Sequence, residues 1–121
     1  MDDIIKEVTP KNMKDIRVDV EEFITLYNEQ KAELIDIRME TETQVWQVNF
    51  GLKIPAHELP NRLDELPKDK ELVVACPHND RSNMARFYLA SKGFKVRYLT
   101  EGLLGLMSRL KGGKAKDIAV H

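Results

Sequence analysis

The apolar positions of this chain fall into short runs separated by stretches with helical periodicity. The clearest run is Leu72-Val73-Val74-Ala75, preceded by Glu71 and by the turn-forming Pro67-Lys68-Asp69-Lys70. Consecutive apolar residues bounded by turn signals predict a strand covered on both faces. Residues 33–38, running from Glu33 to Arg38, predict a second buried strand that ends in polar residues, and 95–99 predict a third. Shorter strands are predicted at 4–8, ended by Thr9-Pro10, and at 52–54, stopped by Pro55. Asp19 has N-cap chemistry with Glu22 three residues on, and Phe23, Leu26 and Tyr27 follow at helical spacing, so a helix is predicted to about Asn28. A short helix over 41–47 would turn Val45 and Trp46 inward. Another runs from His57-Glu58-Leu59 through Pro60, with Leu63 and Leu66 on one face. From Ser82 onward Met84, Ala85, Tyr88 and Leu89 share a helical face, closed by Gly93 as a left-handed C-cap. A last helix, 101–110, ends at Gly112-Gly113.

Strands alternating with helices, with no internal repeat or low-complexity segment, predict an α/β fold with a mainly parallel sheet. A length of 121 residues suits one domain, and 42% apolar with 32% charged residues fits a globular chain rather than a disordered one. No stretch approaches the roughly 18 apolar residues of a transmembrane helix, and the N-terminus lacks the basic-then-apolar layout of a leader; the simplest expectation is a cytoplasmic protein. The net charge of −1, with both signs interspersed, carries no footprint of a nucleic-acid binder. Lys111, Lys114 and Lys116 read as part of a mobile tail over 111–121. One cysteine excludes an internal disulfide and zinc sites built on paired cysteines.

That cysteine stands where chemistry is expected. Cys76-Pro77-His78-Asn79-Asp80-Arg81 follows the clearest strand and leads into a helix starting near Ser82. Ligands of open α/β sheets gather beyond the carboxyl ends of strands, and a helix N-terminus offers unpaired N–H groups and a positive dipole end to an anion. Such a position, with Arg81 adding fixed positive charge, favours the thiolate and makes Cys76 a candidate nucleophile. The alternative is a buried, inert thiol. A persulfide on Cys76 would place its outer sulfur within a ring of backbone N–H groups. His78 either steers an anionic donor or is simply an exposed loop residue. Asp80 is expected to face solvent or a neighbouring cation. Asp36 and Arg38 read as structural, fixing the sheet edge near the loop. Trp46, Phe50 and Met84 read as core, His57 as a residue at the start of a helix, and His121 as tail.

The segment Cys76-(four residues)-Arg81-Ser82 resembles the active-site loop of rhodanese-homology domains. Further along the chain, Asp36-Ile37-Arg38 resembles the family's early Asp-x-Arg strand, and Ile54-Pro55 through Leu59 its segment leading into a short helix. Leu66-Pro67-Lys68-Asp69-Lys70 resembles its turn before the active strand. Gly93-Phe94-Lys95-Val96 and Leu99-Thr100-Glu101-Gly102 resemble the final strand and the turn beyond. The likeness covers about 32–110, with 1–18 as an N-terminal extension able to add an edge strand or a dimer contact. It departs from the family where Asn79 replaces a frequent glycine, asparagine being the next-best residue at positive φ. It departs again where Val48-Asn49-Phe50-Gly51 replaces a histidine-and-glycine segment, and in lacking a late tryptophan.

The resemblance implies a parallel sheet of about five strands with helices on both faces. It also implies a sulfurtransferase with no cofactor and no metal. Cys76 would take sulfane sulfur from a donor such as thiosulfate or polysulfide and pass it to a thiol or cyanide acceptor, or to a partner protein. Cys76 and Arg81 are the catalytic candidates; Pro77, His78, Asn79, Asp80 and Ser82 are the substrate-binding ones. With no second cysteine the acceptor must come from outside. Cysteine-dependent phosphatases of related fold use one residue more between cysteine and arginine, so the tighter loop favours sulfur over a tetrahedral oxyanion. A non-catalytic binding module or a sulfur carrier are the remaining readings.

Overall fold

The computed structural model describes residues 2–120. His121, read as tail, lies outside them. Five parallel strands form one sheet in the order β1-β5-β4-β2-β3, with β1 Arg17–Val18, β2 Ala32–Asp36, β3 Leu52–Lys53, β4 Glu71–Ala75 and β5 Val96–Leu99. The central strand is β4, buried along its whole length. Its side chains alternate between two cores, because successive residues of a strand point to opposite faces. Leu72, Val74 and Cys76 join Ile35, Ile37, Leu59, Ala85 and Leu89 on one face, while Val73 and Ala75 join Phe23, Leu34, Leu99, Leu103 and Leu106 on the other.

Helices cover both faces. α2 (Val20–Asn28) and α5 (Gly102–Leu110) lie over one, α4 (Asp80–Ser91) over the other. α3 (Glu40–Val45) follows β2. Two local rules set the helix ends. Asp19 caps α2 by accepting the Glu22 N–H at 2.8 Å. Gly93, at φ +91°, ends α4 in the left-handed conformation that glycine alone adopts without a side-chain penalty.

Several expectations are corrected. Residues 4–8 form no strand: α1 (Asp2–Ile5) and a turn occupy them, and the added edge strand is Arg17–Val18. The helix after the cysteine begins at Asp80 rather than Ser82. Val45 does not turn inward but is exposed, and Trp46 is half-buried. Met84, placed in the core by periodicity, is 76% exposed, because the buried stripe of α4 runs through Ser82, Ala85, Arg86 and Leu89. In the stretch expected to be a mobile tail, Gly112–Asp117 is a 3-10 helix. Arg109 bonds the Asp117 carboxylate at 2.9 Å, Asn28 bonds its carbonyl at 2.9 Å, and the Ala119 N–H reaches Asn28 at 2.7 Å.

Asp36 and Arg38 do not fix a sheet edge: β2 is an interior strand between β4 and β3. Arg38 leaves the end of β2 and turns its guanidinium back onto Asp36, with Nη2 at 2.8 Å and Nε at 3.0 Å, both side chains fully buried. Its second partner is the Trp46 carbonyl at 3.0 Å, and the guanidinium lies 4.1 Å from the Trp46 ring centre. This pair therefore fixes the β2–α3 turn and the far end of α3. Removing one partner strands a buried charge, so Arg38→Ala is expected to lower stability by about 3–5 kcal/mol in urea unfolding.

Candidate active site

Cys76 is the first residue after β4 and is fully buried. The loop that follows is held from the β5–α5 turn. The Leu103 N–H donates to the Cys76 carbonyl at 2.7 Å, and the Leu104 N–H to the Pro77 carbonyl at 3.2 Å. These are first-turn amides of α5, which have no partner within their own helix. Asn79 adds a third tie, its side-chain amide donating to the Thr100 carbonyl at 3.1 Å. The turn approaches so closely because Gly102 has no side chain: a Cβ there would collide with the Pro77 and His78 carbonyls, and its φ is +69°.

Around the sulfur, Asp80 Oδ1 lies at 3.7 Å and Ser82 Oγ at 3.5 Å from Sγ. The buried Ser82 hydroxyl donates to the Asn79 carbonyl at 3.1 Å, which leaves its oxygen free to accept from the thiol. Asp80 sits at the first position of α4. Its carboxylate accepts the Arg81 backbone N–H and its own, which holds it below the usual carboxylate range. Asp80 is exposed, as expected, and its carboxylate also stands beside the sulfur. Asn79 differs from its expected part: its φ is negative, at −148°, and its contribution is the bond to Thr100. His78 is exposed, and Pro77 is half-buried.

Arg81 does not point its fork at the sulfur. Its two terminal nitrogens bond Glu42 in bidentate fashion, at 2.8 and 2.9 Å. Glu42 also accepts the Met39 N–H at 2.9 Å, the reciprocal half of a capping box at the start of α3. No local pattern announces a partner 39 positions away. Glu42 is the site residue that sequence reading missed. The Glu42–Arg81 pair joins the segments after β2 and β4, where the strand order switches direction and ligands of such sheets bind. The larger clefts lie elsewhere. One of about 530 Å³, lined by Glu71, Arg86, Phe94, Lys95 and Arg97, opens at the opposite ends of β4 and β5. Among the described residues no group of acidic, histidine and cysteine side chains could hold a metal.

The model of the rhodanese-like domain family matches residues 19–108. A sulfurtransferase of Allochromatium vinosum is 35% identical over 72 residues, covering 59% of this chain and 67% of that protein. The thiosulfate sulfurtransferase GlpE of Pseudomonas syringae pv. syringae is 31% identical over 74 residues, covering 61% and 70%. Among solved structures, reduced Bacillus anthracis CoADR-RHD superposes with a TM-score of 0.70 at 29% identity, over 78% of this chain and 17% of that one. The human single-domain sulfurtransferase TSTD1 shares the fold, with a TM-score of 0.69 at 22% identity over 77% and 96%.

Arg81 holds the Glu42 carboxyl down to about 2 from 4.5, its hydrogen bonds outweighing the cost of burial. A lowered carboxylate stabilises the fold above its ordinary value and loses that contribution as pH falls toward the folded value. Wild type is therefore expected to lose stability between about pH 4.5 and 2 more steeply than Glu42→Gln, as read by chemical denaturation at each pH.

Proposed function

The chain belongs to the rhodanese-like domain family, and on that footing we propose that it is a sulfurtransferase carrying sulfane sulfur as a persulfide on Cys76. The observation that carries this reading is the place of Cys76. It is the lone cysteine, at the carboxyl end of the central strand, in a loop whose next residues open helix α4. The named sulfurtransferases among its relatives support the same reading.

In the first half-reaction the Cys76 thiolate attacks the outer, sulfane sulfur of a donor. The donor's S–S bond breaks, and its electron pair leaves on sulfite or on a thiolate, depending on the donor. In the second, an external thiol or cyanide takes that sulfur and the Cys76 sulfur leaves again as thiolate. Neither half changes the oxidation balance of the pair, so no redox partner is called for. Pro77, His78, Asn79, Asp80 and Ser82 line the path to the sulfur, and Arg81, through Glu42, holds the loop against α3. Because Cys76 is covered in the resting loop, the donor reaches it through a loop displacement or along its exposed residues His78, Asn79 and Asp80. Thiosulfate and polysulfide are the donors first tested, and a partner protein remains an acceptor alongside small thiols.

Intact-mass measurement of the reduced protein after incubation with each donor tests this. A gain of one sulfur atom is expected for wild type, absent in Cys76→Ser and reversed by cyanide or a thiol. No gain with any donor, on a thiol shown to be alkylated by iodoacetamide, would overturn it in favour of a binding module.

A further inference from the structure

The charges around Cys76 bear on which donors the site accepts. Two features expected to attract an anion are already engaged by the chain's own carboxylates. At the N-terminus of α4, the Asp80 carboxylate takes the amides of Asp80 and Arg81 while standing 3.7 Å from Sγ. The other feature is the loop's fixed cation: both terminal nitrogens of Arg81 are held by Glu42 at 2.8 and 2.9 Å. Asp80, Glu42 and Arg81 together sum to a charge of −1. Arg38, just beyond the end of β2, is paired with Asp36. His78 is exposed.

A dianion approaching Sγ therefore meets the Asp80 carboxylate, exposed beside the loop's entrance, and like charges repel. Thiosulfate carries two charges beside its sulfane sulfur. A thiol persulfide, R–S–SH, carries at most one and none in its electrophilic, protonated form. We propose that Asp80 is a specificity-determining residue that selects thiol persulfides over thiosulfate as sulfur donors. The proposal rests on the sulfur-transfer reading above and narrows its donor class. The favoured step is attack of Cys76–S⁻ on the terminal sulfur of R–S–SH, giving Cys76–S–SH and R–S⁻. One S–S bond forms as one breaks, the hydrogen stays on the transferred sulfur, and the electron pair of the broken bond leaves on the thiolate.

The test compares loading of Cys76 by 2-hydroxyethyl persulfide and by thiosulfate, as kcat/KM with a common thiol acceptor, in wild type, Asp80→Asn and Asp80→Ser. Wild type is expected to prefer the persulfide. Removing one unit of charge beside the sulfur is expected to shift the thiosulfate-to-persulfide ratio toward thiosulfate by about ten-fold in either variant. Raising salt from about 0.02 to about 0.5 M is expected to speed thiosulfate loading of wild type and to have less effect in the variants, because it screens the same repulsion. A ratio that stays within about two-fold in both variants, or thiosulfate loading of wild type that slows with salt, overturns the proposal while leaving sulfur transfer standing. Failure of every donor to load wild type removes both.

Discussion

The carbonyls of Cys76 and Pro77 accept the first-turn amides of Leu103 and Leu104 in α5, and this contact determines where the Cys76 sulfur sits. Helix-start amides and loop carbonyls each need a partner, and joining them satisfies both at one place. The join is possible because Gly102 brings the backbone of the turn against the loop. Asn79 strengthens it by bonding Thr100, which is itself tied to β1 through its N–H to the Val18 carbonyl at 3.0 Å. The Cys76 loop is thus anchored across β5 and β1 on one side of β4.

On the other side the anchoring is ionic. The buried Asp36–Arg38 pair holds the turn after β2, and α3 follows from that turn with Glu42 in its first turn. Glu42 closes the arrangement by taking Arg81 from the start of α4. The loop is therefore held by neutral hydrogen bonds from one flank and by a charge pair from the other. The pair is partly exposed, so its contribution to stability is modest and its larger effect is on the local electrostatics. It takes up the arginine that would otherwise face an incoming anion, and Asp80 adds a carboxylate at the sulfur itself.

The parallel α/β architecture was legible in the sequence because buried strands read as unbroken apolar runs: residues 71–75 and the body of 33–38 both became strands. The caps at Asp19 and Gly93 were legible for the same local reason. Residues 4–8 misled because a short apolar run carries no period that separates strand from helix. Met84 misled because residues three and four apart fit more than one stripe of α4, and the packed stripe runs through Ser82, Ala85 and Leu89. At the site, the Cys76–Ser82 segment was legible as a unit, but the directions of its side chains were not. Asp80 turns to the sulfur and Arg81 turns away to Glu42, since long-range pairs depend on which segments the fold brings together.

A persulfide on Cys76, as proposed, would be held within this anchored loop. A crystal structure of the protein after loading with a sulfur donor tests it most directly. The account predicts one additional sulfur bonded to Cys76 Sγ, enclosed by the 77–82 segment and within hydrogen-bond reach of its backbone N–H groups, with the Leu103 and Leu104 amides still bonded to the loop. An unmodified Cys76 in a protein whose mass shows bound sulfur, or a persulfide directed into solvent away from the loop, would contradict it.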